Sequence, residues 1–471
     1  MSLFFAELKL VLRSPIAVGA LLFLLLLSAL AIWSGISVAE RQKAAVERVQ
    51  AAHATDVAGV AEVYGQPDGD AGNGAYYTFY LTWDRPPPLA FAAVGQRDIQ
   101  PFTLRVRALG LQSQLYESEN VNAELAQPGP FDWAFVLIYL APLAMIVLVH
   151  DLVSGEREAG RLRLLLSLPG MRGLWRRRLA ARYLPVFLAL AVPLIVGLAV
   201  MQTPLVLGAG TLLIAALYLA FWAGLGLLVA ALARSSGAGA AGLLGCWIVL
   251  TLVVPTLANS AINSAIPTAR GTDLTLAQRE LVHAAWDKPK EETFDAFFVN
   301  HPEWRGTPPV EGRFHWKWYY AFHQVGDEAV APQVAEYRAS LAARERWTER
   351  VGWLLPTVST QVLLHRLADT DLHAQLAFQD SIAALHRRIR YFYYPYVFEE
   401  RPFTRADFER LPEYEPRPPG GSFAWGSLIA LALAALVLLA LGLRRAGRVD
   451  GAASTTVAVA PARRAPEPAL A

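Results

Sequence analysis

The sequence predicts an α-helical integral membrane protein: six transmembrane helices with two extracytoplasmic insertions, the second mainly helical. Three observations carry that prediction. Residues 183–233 contain no charged side chain, and the run ends at Arg234. At about 1.5 Å per residue, one helix of that length would be roughly twice the hydrocarbon thickness of a bilayer. The chain must therefore fold back inside it, at Gln202-Thr203-Pro204, giving spans at 183–201 and 205–233. Further uncharged apolar runs place spans at 16–38, 131–149, 237–258 and 423–443, each near or above crossing length. The third observation is where the arginines sit.

Between the second and third spans, residues 150–182 carry Arg157, Arg161, Arg163, Arg172, Arg176, Arg177, Arg178 and Arg182. Arg234 follows the fourth span, Arg444, Arg445 and Arg448 follow the sixth, and Lys9 and Arg13 precede the first. In a six-span chain all four segments fall on one side, which the positive-inside rule makes cytoplasmic. Both termini are then inside, including the tail 444–471. Hydrophobic residues make up 54% of the chain and charged residues 17%, and that segregation, more than the net charge of +2, is what matters. Basic clusters beside apolar spans suit anionic headgroups, so the lipid bilayer is the expected partner and nucleic acid is not. Residues 16–38 are too long for the core of a cleaved signal, so an uncleaved anchor is expected. Cys246 is the only cysteine and lies in span five, which rules out intrachain disulfides.

The insertions occupy residues 39–130 and 259–422, each long enough for a core of its own. Val46, Val49, His53, Val57 and Val60 form one apolar stripe, so the first span is expected to continue as a helix beyond the membrane. Residues 65–74 read as a loop rich in turn formers. Residues 76–83 read as a strand or as an aromatic patch on the headgroups. In the second insertion, Phe378, Ile382, Leu385, Ile389 and Phe392 form a helical seam, and Val334, Tyr337 and Leu341 start another. Pro356 is expected to separate these helices. The aromatic strings 315–320 and 391–396 suit a membrane interface or a ligand-handling surface.

Catalytic signatures are missing. There is no G-x-x-x-x-G-K followed by Ser or Thr, no H-E-x-x-H, no paired C-x-x-C and no G-x-S-x-G. The histidines match no compact metal motif, although His315/His323 and His365/His373 are spaced to share helix faces. The chain is therefore not expected to be an enzyme or to hold a cofactor or metal. No span carries an ionisable residue near its middle, which argues against proton-coupled transport; Asp132 sits at the edge of span two, where water is expected to reach it. Glycines open span five at Gly237, Gly239, Gly242 and Gly245, as expected for close helix packing or for a flexible pore segment.

The most specific local signal follows span two, where Asp151, Ser154, Glu156 and Glu158 precede Gly160, and Arg161 then alternates with leucines from Leu162 up to Pro169-Gly170. Spacing alone reads it as a short surface helix offering polar groups to the cytosol, or as a plain juxtamembrane anchor. The E-x-E-x-G-x-L pattern at Glu156, Glu158, Gly160 and Leu162 resembles that of ABC-2-type transporter permeases. The stretch 4–14, within residues 1–15, is similar to that family's interfacial elbow helix. Segments 88–96, 131–136, 403–408 and Leu411-Pro412 resemble a subset with large extracytoplasmic insertions, some of whose members are associated with multicopper enzyme maturation. Arg161 departs from the family's more frequent threonine.

The resemblance implies a permease subunit of an ATP-driven transporter, an exporter, in a bacterial inner membrane. It implies a cytoplasmic coupling loop at 150–182, whose segment 151–169 forms a coupling helix that docks on a separate ABC ATPase subunit, which binds the ATP. It also implies a second permease chain, identical or paralogous. The competing expectation is a membrane scaffold or sensor whose extracytoplasmic domains bind a partner.

Overall fold

The structure, a computed structural model, describes residues 2–116, 131–167, 173–268 and 271–455. Among them, six helices are long and apolar enough to cross a membrane: Pro15–Tyr64, Trp133–Glu158, Leu174–Val200, Leu205–Leu232, Ser236–Ala265 and Trp425–Arg448. The protein is an α-helical integral membrane protein with two insertion regions, the larger almost entirely helical. Gln202 takes a left-handed φ of 49° in the turn between spans three and four, where the uncharged run has to reverse. Pro169, Gly170, Arg172 and the tail beyond residue 455 lie outside the described residues.

Two spans contain a π-helical turn just ahead of a proline. Val136–Leu140 precedes Pro142, and Val249–Val253 precedes Pro255. Proline has no N–H to continue the ladder, so carbonyls in the preceding turn need other donors. The Tyr218 hydroxyl of span four donates to Ile138 O at 2.8 Å, and Thr357 Oγ1 donates to Leu250 O at 3.2 Å. Spans four and six approach at backbone distance: a methyl at Gly224 would lie 2.6 Å from Leu439 N, and one at Gly442 would lie 2.9 Å from Gly224 O. Small residues replace side-chain packing there.

The two insertions do not fold apart. They share one core, in which Ala61, Tyr80, Val106 and Leu109 from the first meet Phe297, Tyr320, Phe378, Ile389 and Phe403 from the second. The Pro15–Tyr64 helix carries the predicted stripe upward into it, with Val46 fully buried. Strand β1 (Tyr80–Trp83) pairs antiparallel with β2 (Thr103–Val106). The predicted loop over 65–74 is in part a helix, Ala71–Tyr77, because Asp70 caps it by accepting from Gly72 N at 2.7 Å. Much of both aromatic strings belongs to the interior, where Trp318, Tyr320, Tyr393 and Tyr394 are all buried, while Tyr391 stays exposed. Pro356 opens a helix, Pro356–Ala368, whose Leu363, Leu364 and Leu367 join the core of the membrane bundle. That helix is far too short to span a bilayer and is wedged between spans.

Candidate functional site: the collar at the arginine-rich end

Span two ends in two short helices, Ser154–Glu158 and Leu162–Ser167, separated by Gly160 at a left-handed φ of 68°. A residue with a Cβ is strained there, which is the local reason for glycine at this position. The chain reversal brings the charged residues of the segment against the ends of spans three, four and five. Arg157 donates from Nη1 to Ala233 O at 2.5 Å and from Nη2 to Ala231 O at 3.3 Å, satisfying the last carbonyls of span four. Glu158 accepts from Ser236 N at 3.0 Å and from Ser236 Oγ at 2.5 Å, placing a carboxylate at the N-terminus of span five. That position favours negative charge.

Glu156 is clasped between two arginines, Arg161 Nε at 3.0 Å and Arg178 Nη1 at 3.0 Å. Arg178, buried at the start of span three, also donates from Nε to Glu7 Oε1 at 3.2 Å, tying in the Ser2–Arg13 helix. Arg182 Nε reaches back to Leu148 O at 2.7 Å. Ser154 is buried and donates to His150 O, while a methyl at Gly239 would lie 2.7 Å from that same carbonyl. The result is a polar collar that ties the middle of the Ser2–Arg13 helix to one end of spans two to five.

Of the residues singled out by the sequence, Ser154 and Leu162 face inward and Glu156 is half-buried. Asp151, Glu158, Gly160 and Arg161 are exposed and form the accessible rim. Gly239 is a packing contact and Gly242 touches Val229, whereas Gly237 and Gly245 have no neighbour within 4 Å and lie on an open face of span five. Sequence reasoning misses Arg157 and Arg178 as site residues. They read as generic positive-inside charge, and nothing in the spacing tells a helix-capping arginine from a headgroup-binding one.

At the opposite end, the segment 88–96 is a buried wedge. Phe91 is fully buried, and methyls at Gly35 and Gly197 would lie 1.8 Å and 2.5 Å from its atoms. Its backbone is held by Thr203 Oγ1 to Pro88 O at 2.8 Å, Thr370 Oγ1 to Ala93 O at 2.8 Å, and Val94 N to Asp132 Oδ2 at 2.8 Å. Asp132 therefore does not face water. It is buried, and it caps span two by accepting from Phe135 N at 2.8 Å. The wedge touches spans one, two and three and the end of the Pro356–Ala368 helix, so it joins the bundle to the insertion body.

Among the described residues one group has metal-ligand chemistry, Glu345, Asp371 and His373, whose ligand atoms lie within 4.8 Å of one another. Arg366 already occupies the same carboxylates, Nε to Asp371 at 2.5 Å and Nη2 to Glu345 at 3.1 Å. A cation would have to displace that guanidinium, so the geometry is that of an ion-pair knot. Hydrogen bonds to Asp371 and Glu345 pull His373 up to about 9, above its ordinary 6.5. A folded value above the unfolded one means that the imidazolium's stabilisation is complete below pH 6.5 and fades as pH rises to about 9. His373→Gln is expected to flatten the pH dependence of thermal unfolding in that window. The effect should stay below about 1 kcal/mol, because the side chain is more than half exposed.

The architecture defines a multi-pass helical membrane protein. A family model described as a domain of unknown function (DUF3526) matches residues 272–417, which make up most of the second insertion. No curated protein matches the chain, and no solved structure does.

Proposed function

We propose that the chain is the membrane-spanning permease subunit of an ABC-2-type ATP-driven transporter, an exporter. It works with a separate ATPase subunit and a second permease chain in a bacterial inner membrane, with both termini cytoplasmic. The observation that carries this reading is the collar. A partner docking on Asp151, Glu158, Gly160 and Arg161 would push on residues bonded directly to the ends of spans four and five and, through Glu156 and Arg178, to span three. Such a joint transmits motion only if the ATPase binds the two permease states with different affinity. This chain itself hydrolyses nothing and holds no cofactor; ATP belongs to the partner. Span five is the least buried of the six and exposes Gly237 and Gly245, which supports it as the face for the second permease chain.

Two measurements test the reading. Co-purification of the tagged chain from its native membrane should bring down a subunit with a P-loop. Recovery of a kinase or regulator without one would favour the sensor reading instead. Tags near positions 170 and 340 should be protected and accessible, respectively, in intact spheroplasts. The reverse pattern, or both on one side, would overturn the orientation.

A further inference from the structure

Between the two insertions lies a cavity of about 460 Å³ whose lining, among the described residues, holds Arg105, Arg107, His283 and His323, with Arg279 engaged by a partner of its own, and no carboxylate. Apolar walls come from Phe79, Leu104, Leu109 and Val282. The guanidinium carbons of Arg105 and Arg107 lie over the Phe79 ring, 4.6 and 4.8 Å from its centroid, which helps to hold them at the rim. Arg105 also meets Asp56 at 2.9 Å, so Arg107 is the stronger of these two rim charges. The size and the mixed lining are those of a small-molecule site.

Two buried donors in the wall of this cavity lack an acceptor among the described residues. His323 Nδ1 accepts from Gly110 N at 3.2 Å, so in the neutral ring the proton is on Nε2. Burial, with Arg390 and Arg107 nearby, holds that ring neutral by pushing its pKa down to about 3. His323 is 8% exposed and its Nε2 has no partner. Gln278 is 1% exposed and its Nε2 also has none, although the amide lies so close to Gly110 that a methyl there would sit 1.8 Å away. A buried donor left without an acceptor costs roughly 1–3 kcal/mol, so native structures seldom keep two in one place without a use for them.

The wall is also built to stay in place. Arg390 donates to Ala108 O at 3.2 Å and Leu109 O at 2.9 Å, His386 Nε2 contacts Leu109 O at 2.7 Å, and Asp327 accepts from Leu111 N at 2.9 Å. Together with His323 on Gly110 N, these side chains of the second insertion fix a loop of the first, so that only a local side-chain shift is needed to uncover the two donors.

We infer that this cavity is a binding site for a small organic anion, a phosphate or carboxylate on an apolar body, whose oxygens accept from His323 Nε2 and Gln278 Nε2 under the arginine rim. The site lies away from the collar and stands whether or not an ATPase drives the chain.

The test is calorimetric titration of the full chain in a neutral detergent with phenyl phosphate, inorganic phosphate and dihexanoyl phosphatidic acid. Saturable binding of phenyl phosphate is expected, at least tenfold tighter than inorganic phosphate. His323→Phe and Gln278→Leu should each weaken it at least tenfold. Arg107→Gln, at the rim and away from the loop clamp, gives the same readout should either buried variant misfold. Lys43→Gln removes an exposed charge elsewhere and should change affinity less than twofold. Competition by the phosphatidic acid would assign the site to a lipid headgroup, and its failure to compete would assign it to a soluble anion. No saturable binding, or equal weakening by Lys43→Gln, overturns the proposal.

Discussion

Charge reversal at both collar glutamates, Glu156→Lys with Glu158→Lys, is expected to abolish transport-coupled ATP hydrolysis while the chain still inserts into the membrane. Insertion depends on the apolar runs, which the variant leaves untouched. The collar is another matter. At the first position the introduced ammonium would face Arg161 and Arg178, which the native carboxylate holds at 3.0 Å each, and Arg178 would keep only Glu7. Hydrogen bonds to charged groups contribute about 1.5–3 kcal/mol each, so losing both and adding repulsion opens the joint. At the second position a cation would replace the anion at the N-terminus of span five, where the helix dipole disfavours it. ATPase activity of the reconstituted complex with and without cargo is the measurement, and wild-type stimulation in the double variant would end the coupling-segment reading. A double-mutant cycle separates internal bracing from partner contact. If Glu156 acts through Arg178, then Glu156→Gln and Arg178→Gln should each lower the stimulation and the two together should lower it little further. If Glu156 reads the ATPase directly, the two losses should add.

The six spans are legible in the sequence because a membrane imposes a length and forbids charge, and both constraints are written along the chain. Even the reversal at Gln202 follows from them. What stays hidden is pairing across distance. Glu156 and Glu158 read as groups offered outward, yet one is clasped by arginines 5 and 22 residues away and the other caps a helix 78 residues on. Spacing within a segment says which face a residue takes and nothing about what waits on that face. The aromatic strings illustrate the same limit. Tyrosine and tryptophan suit a membrane interface and a tight core equally well, and only the meeting of Tyr80 with Tyr393, hydroxyl to hydroxyl at 3.0 Å, decides for the core. Asp132 reads as water-facing because it ends an apolar run. The wedge that covers it is a segment 38 residues earlier, bonded through Val94 N. His373 is spaced to share a helix face with His365, eight positions away, whereas its partner Glu345 comes from a different helix.

Arg390→Met is expected to destabilise the insertion body by about 3–5 kcal/mol, the usual cost of leaving one member of a buried ion pair without its partner. Arg390 and Asp327 meet at 2.8 Å with both side chains nearly out of water, and burial pushes the Asp327 carboxyl up while the guanidinium opposes that shift. Replacing both members by apolar residues is often harmless in other proteins, because each charge was desolvated only for the sake of the other. Here it should not be. Arg390 also satisfies the carbonyls of Ala108 and Leu109, and Asp327 satisfies the Leu111 N–H, so Asp327→Leu with Arg390→Met would strand these backbone groups. The double variant is therefore expected to stay at least about 2 kcal/mol below wild type, by the cost of unsatisfied buried groups. Hydrogen exchange over residues 104–115 in the full chain reads this directly, with faster exchange in both variants. Recovery of wild-type protection in the double variant would mean that the pair is an isolated salt bridge and not a clamp on the loop. The cavity wall formed by Leu109 and Gly110 would then lose its claim to be preorganised.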